Sequence, residues 1–157
     1  RSNRIKLHKP EDFECMRRAG RLTAEALDLI TPLVRPGITT DTLDRFIVEF
    51  ARDNGAIPAP LNYRGYTKSI CTSINHVVCH GIPNDTPMRE GDIVNIDVTL
   101  IVDGWFGDSS RMYPVGEVSR KAERLNEVTY ECLMRGIAMV KPGAHLGDIG
   151  YAVQAIA

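Results

Sequence analysis

Apolar residues return at helical spacing in three stretches of the chain and at strand spacing in the stretch between them. From residue 10 to 31, Phe13, Met16, Ala19, Leu22, Ala26, Leu29 and Ile30 recur with a period near that of a helix, which predicts an amphipathic helix. Pro10 suits its first turn, and Glu11 and Asp12 follow at the positive end of the dipole. A second helix opens at Thr40 and Asp41, carries Leu43, Phe46, Ile47 and Phe50 on its apolar side, and closes at Asn54-Gly55. Residues 56–113 hold Pro, Gly and short β-branched runs, the composition of strands and loops. A third helix begins at Ser119 and presents Leu125, Val128, Cys132 and Leu133. Cys15 and Cys132 both fall at apolar helix positions and are expected in the core.

The third helix repeats the first. Residues 123–143 align without gaps on 17–37, with Arg18/Arg124, Thr23/Thr129, Glu25/Glu131, Leu27/Leu133, Val34/Val140, Pro36/Pro142 and Gly37/Gly143 identical. Beyond the shared Pro-Gly exit, Leu43, Phe46, Ile47 and Phe50 align with Ile149, Ala152, Val153 and Ile156, so the second unit also enters a second helix. The exit motif favours duplication over a chance match of two amphipathic helices. The first unit spans about 10–113; the second begins near 119 and reaches Ala157, which aligns with Ala51 inside the second helix. This pattern leads to the expectation that residues 1–157 are an incomplete single domain.

Strand alternation is clearest on either side of Asp103-Gly104, a dipeptide suited to a two-residue hairpin turn. With that turn, Val102 faces Trp105, Asp97 faces Ser110 and Asp108 faces Thr99, so Asp97 and Asp108 are diagonal neighbours on one face. A three-residue loop without a bulge would put them on opposite faces. Two acids on one face either sit in water or hold a cation. Beside Asn95, Thr99 and Ser110 they make a poor core and a good site for a hard metal ion.

Of the four histidines, His8 lies in the N-terminal tail and His145 follows a Pro-Gly turn. Alternation from Cys71 puts Ser73, Asn75, Val77 and Cys79 on one face and Thr72, Ile74, His76, Val78 and His80 on the other. His80 is then at the tip of a strand ended by Gly81 and Pro83. There it is either simply exposed or able to reach a cleft.

Composition narrows the class. With 43% hydrophobic and 25% charged residues and a net charge of −1, the chain reads as globular, with no electrostatic case for nucleic acid or anionic membrane. No apolar run approaches a membrane span, and nothing behind Arg1-Ser2-Asn3-Arg4 resembles a secretory signal. Cys15, Cys71, Cys79 and Cys132 form no Cys-x-x-Cys pair, which suits free thiols in a reducing cytosol.

The runs YRGYTKSIC (63–71), NHVVCHGIP (75–83), GDIVNIDVT (91–99) and DGWFGDSSRMY (103–113) together resemble type I methionine aminopeptidases, in order and over essentially the whole chain. The resemblance implies an α+β pita-bread fold with an internal pseudo-two-fold repeat, here the first repeat and the start of the second. It implies removal of the N-terminal methionine from nascent proteins whose second residue is small, by a cytoplasmic monomer working near the ribosome. One or two divalent ions (Co, Mn, Fe, Zn or Ni) would serve as cofactors. Carried over by motif, Asp97 and Asp108 are metal ligands and His80 hydrogen-bonds the scissile amide. Tyr63, Tyr66 and Cys71 line the methionine pocket, and the main-chain oxygens of Asn75 and Val77 hold a Na or K ion.

The family's other metal ligands, a His and two Glu, have no counterpart in this sequence, so residues 1–157 alone are expected to be inactive. A pocket position often occupied by Cys is Pro60 here. A related Xaa-Pro peptidase or creatinase-like enzyme, and a non-catalytic binding protein on the same fold, are the alternatives. The NHVVCHGIP and YRGYTKS runs favour the methionine enzyme, and retention of Asp97, Asp108 and His80 weighs against a binding protein.

Overall fold

The alternation centred on Asp97 forms the middle strand of a small antiparallel sheet. The computed structural model describes residues 5–157; residues 1–4, read above for a signal segment, lie outside the described residues. Strand β3 (Ile93–Val102) buries Val94, Ile96, Val98, Leu100 and Val102 and turns Asn95, Asp97, Thr99 and Ile101 to the other side. The turn is Asp103-Gly104, with φ of 50° and 82°, both left-handed as a tight hairpin of this hand requires. It leads into β4 (Trp105–Pro114) in the expected register, with Val102 opposite Trp105, Thr99 opposite Asp108 and Asp97 opposite Ser110. On its other edge β3 pairs with β1 (Ile57–Pro58) and with β2 (Cys71–Ile74), both antiparallel.

Helix α1 (Pro10–Ile30) packs along β4 and β3, and α2 (Thr40–Asp53) completes the core with Leu43 and Ile47. Pro10 occupies the first turn of α1, Thr39 caps α2 by accepting from the Thr42 amide at 3.2 Å, and Asn54 closes α2. The apolar stripe of α1 differs from its expected course. Ala19, Thr23, Ala26, Leu27 and Ile30 are buried, whereas Phe13, Met16 and Leu29 stay about half exposed and Cys15 is exposed. The cause is close approach. A Cβ at Gly107 of β4 would lie 2.3 Å from the Ala19 carbonyl oxygen, so at this crossing the helix meets the sheet through the small residues Ala19 and Thr23.

The chain divides into two compact units between Gly116 and Glu117. The second is a helical hairpin of α3 (Arg120–Ala138), capped by Ser119, and α4 (Leu146–Gln154). Cys132 and Gly136 are its buried residues, facing Ile149 and Val153. Leu125 and Leu133 are more than half exposed, because a pair of helices buries only the line between them. α4 ends at Gln154 rather than continuing to Ala157. The two units share local backbone geometry at the aligned positions: Gly37 and Gly143 have φ values of 87° and 85°, and α2 and α4 start at Thr40 and Leu146. Among the described residues no helix is long and apolar enough to cross a membrane.

Candidate metal and substrate site

The face of the sheet opposite the helices carries the site. Asp97 on β3 is paired with Cys71 on β2, and Asp108 on β4 is paired with Thr99 on β3, so the two acids share a face as diagonal neighbours. The Thr99 hydroxyl donates to Asp108 Oδ1 at 2.9 Å. Burial, and then the charge of Asp108, push the Asp97 carboxyl above the usual carboxylate range, while His80 pulls it down. Two neighbouring carboxylates in a partly dry setting could hold a cation that takes oxygen ligands, and the donor set fits a divalent metal. Among the described residues no group of three or more His, Cys, Asp or Glu side chains is arranged to hold a metal ion.

His80 reaches this face by a route the alternation did not foresee. β2 stops at Ile74 instead of running to His80. Asn75 takes a left-handed φ of 52°, and the Val77 amide donates to the Ile74 carbonyl at 3.1 Å, closing a turn. An Asn in that conformation ends a strand as effectively as a glycine. The chain then folds back along β2. The Thr72 amide donates to the Gly81 carbonyl at 2.8 Å, and the Gly81 amide donates to Ser73 Oγ at 3.1 Å. His80, with φ of 55°, is left beside Asp97 at the edge of the cavity.

An open cavity of about 780 Å³ brings together Tyr63, Tyr66, Cys71, His80, Asp97 and Asp108. Asn75 and Val77 lie outside its wall. The Asn75 side chain is engaged at the start of β3, donating to Asp92 Oδ1 at 2.8 Å and accepting from the Ile93 amide at 3.1 Å. Pro60 lines the cavity, as do Arg64, Thr99 and Phe106. Phe106 had not been singled out, although it alternates with Asp108 along β4 and so shares its face.

Burial raises the Tyr66 phenol well above its ordinary value, and the neighbouring Cys71 adds to this; burial also raises the Cys71 thiol. Tyr66 donates its hydroxyl to the Ile70 carbonyl at 2.9 Å. Asp44 of α2 holds that stretch in turn, its Oδ1 accepting from Ser69 Oγ at 2.6 Å, the Ser69 amide at 2.7 Å and the Ile70 amide at 3.2 Å. Asp44 was also missed. Its signal was an acid at helical spacing among Thr40, Leu43, Ile47 and Ala51, a position where an acid is buried only with partners.

Comparison with known proteins adds an independent line. The model of metallopeptidase family M24 matches residues 14–157. A methionine aminopeptidase of Rickettsia prowazekii is 61% identical over 153 residues, covering 98% of this chain and 59% of the relative. That of Escherichia coli K12 is 51% identical over 152 residues, covering 96% of this chain and 58% of the relative. The chain thus spans about three-fifths of the length of these relatives. The crystal structure of the Rickettsia prowazekii enzyme superposes with a TM-score of 0.96, covering 98% of this chain and 62% of that one. Escherichia coli aminopeptidase P, a Glu383Ala variant in complex with substrate, superposes with a TM-score of 0.81 at 24% identity, covering 94% and 33% of the two chains. The expected pita-bread architecture is therefore present, as far as this chain extends.

Proposed function

The chain belongs to metallopeptidase family M24, and from that premise we propose that it carries the first part of a methionine aminopeptidase. The reaction is removal of the initiator methionine from new polypeptides with a small second residue. The observation that carries the reading is the convergence in one cavity of two acids on one sheet face, His80, and a wall of Tyr63, Tyr66 and Cys71. The high identity to methionine aminopeptidases supports the methionine-specific reaction over the Xaa-Pro one.

Family M24 consists of metallopeptidases, and divalent metal use follows from membership. Asp97 and Asp108 are the residues that would hold the ion or ions. When bound, a divalent metal supplies a water of lowered pKa and draws charge from the carbonyl under attack. The protein's own groups do the rest. Thr99 occupies one lone pair of Asp108 and fixes its carboxylate. Tyr63, Tyr66 and Cys71 take the methionine side chain, whose thioether packs well on thiol and aromatic edges. Because burial favours the protonated Tyr66 phenol and Cys71 thiol, these two groups offer no charge to compete for the cation. His80 donates a hydrogen bond to the scissile amide and holds the negative charge that grows on its oxygen during attack.

The two units are read as the first repeat, about 10–113, and the opening of the second, from about 119. The Asn75 and Val77 main-chain oxygens are assigned to a Na or K ion. The working form is taken as a cytoplasmic monomer acting on nascent chains near the ribosome. Activity is assigned to a longer polypeptide, since two aspartates alone do not complete a metal shell.

A chimaera tests this reading. Residues 1–157 replace the matching part of the Rickettsia prowazekii relative, and peptides beginning Met-Ala and Ala-Pro are offered with a divalent metal. Release of Met from the first and no cleavage of the second is expected. Cleavage of the Ala-Pro peptide alone would turn the assignment to an Xaa-Pro peptidase.

A further inference from the structure

The residue before Gly81 is the one assigned to the substrate amide, and Gly81 is seated tightly against β2. A Cβ on Gly81 would lie 2.1 Å from the Thr72 carbonyl oxygen and 2.8 Å from its carbon. Gly81 therefore rides directly over the Thr72 peptide, closer than any other residue type allows. Its carbonyl takes the Thr72 amide at 2.8 Å. In a regular antiparallel pair the return bond from the Gly81 amide would go to a β2 carbonyl. Instead the amide donates to the side chain of Ser73, at 3.1 Å. Ser73 is 4% exposed, although its strand position puts it on the same face as Cys71 and Asp97. The Tyr66 hydroxyl, 3.4 Å from the Gly81 carbonyl, closes the same corner from the pocket side.

The cost of this arrangement falls on His80. Its φ of 55° is left-handed, a conformation in which a residue with a Cβ is strained. Such a conformation persists only where its neighbours fix it. The fixing contacts are on the C-terminal side, in the seat of Gly81, and Ser73 supplies the one side-chain acceptor for the Gly81 amide.

We propose that Ser73 is a positioning residue: by holding the Gly81 amide against β2 it keeps His80 in its left-handed conformation, with the imidazole at the cavity beside Asp97. The proposal rests on the reading of His80 as the group that binds the scissile amide. Ser73 itself touches neither substrate nor metal. Its removal should leave ground-state binding and metal content alone and act on the step that uses His80.

The test is a double-mutant cycle in the chimaera described above. Ser73→Ala is expected to lower kcat roughly tenfold with KM and bound metal unchanged, and to cause no further loss in a His80→Ala background. Ser73→Cys, near in volume and a weak acceptor, is expected to give the same kcat loss and covers the case in which the Ala variant folds poorly. An equal loss from Ser73→Ala with or without His80 would overturn the proposal, as would no loss at all. Unchanged kcat in His80→Ala would overturn the reading of the site, and the proposal with it. In the same chimaera, hydrogen exchange at the Gly81 amide should speed up about tenfold or more in Ser73→Ala while β3 and β4 amides keep their protection. Unchanged Gly81 protection would also contradict the proposal.

Discussion

The Thr23 hydroxyl of α1 donates to the carbonyl of Gly107 on β4 at 2.9 Å, across a contact so close that no side chain fits at residue 107. Thr23 Oγ1 also lies 3.1 Å from the Ala19 carbonyl of its own helix. One hydroxyl thus stitches helix to strand one residue before Asp108. The position of an acid in the site is set from the buried side of the sheet.

Gly107→Ala forces its methyl to within 2.3 Å of the Ala19 oxygen and 2.6 Å of Thr23 Oγ1. Neither the helix backbone nor a buried hydroxyl can give way cheaply. We expect a loss of about 3 kcal/mol or more in urea unfolding of residues 1–157, and Thr23→Val a loss of about 1–2 kcal/mol. A Gly107→Ala chain as stable as the parent would show that α1 does not rest on β4 as described.

Asp97 and Asp108 repel across the sheet face when no cation is present, and burial adds to the cost at Asp97. Asp97→Asn keeps the shape and removes the charge. In metal-free buffer it should stabilise the chain slightly, by roughly 0.5 kcal/mol once solvent screening is allowed for. It should also weaken the rise in Tm produced by added Mn²⁺. An equal Mn²⁺ response in the variant would remove Asp97 from the metal site.

The start of α1 should respond to acid. The Lys9 amide donates to Asp12 Oδ2 at 3.0 Å, and this bond, with His8 nearby, holds the Asp12 carboxyl below the ordinary carboxylate range. A carboxyl whose pKa is lowered on folding stabilises the fold above its unfolded pKa, about 3.9, and ceases to do so as pH falls through the folded value. Asp12→Ala should therefore lower Tm at pH 7, with the gap to the parent closing towards pH 2–3. A gap that stays constant over this range would mean that charge at Asp12 has no part in the cap.

Thiol reactivity should divide the four cysteines by position. Cys15 and Cys79 are exposed, and Cys71 and Cys132 are buried. Burial also raises the Cys71 thiol, which lowers its thiolate fraction. Mass spectrometry after brief iodoacetamide treatment at pH 7.5 should find Cys15 and Cys79 labelled well before Cys71. Early labelling of Cys71 would contradict a buried, neutral wall.

The hairpin was legible in the sequence because its information is local. Asp103-Gly104 can form only a few turns, and the turn fixes the register and hence the shared face of Asp97 and Asp108. The loop to His80 was not legible, since alternation continues through Asn75 while the backbone does not. The left-handed Asn75 and the seat of Gly81 on Thr72 are tertiary facts. The stripe of α1 was legible only in part for a similar reason: Ala19, Ala26 and Ile30 are buried as their spacing implies, but hydrophobicity also marks Phe13, Met16 and Leu29, which stay half exposed, and passes over Thr23, which the contact with Gly107 buries. Likewise Asp44 is buried by its bonds to Ser69 and Ile70, partners that only the fold brings to α2.

The central claim is that Asp97 and Asp108 form the metal-holding face of a methionine-releasing site. The direct measurement is Met release from a Met-Ala-Ser peptide by the chimaera containing residues 1–157, with saturating divalent metal, for the parent, Asp97→Ala and Asp108→Ala. The parent should release Met, each variant should be slower by roughly 10³-fold, and residues 1–157 alone should release none. Parent-like release by either variant, or no release by a folded chimaera under conditions where the intact relative is active, would contradict the account.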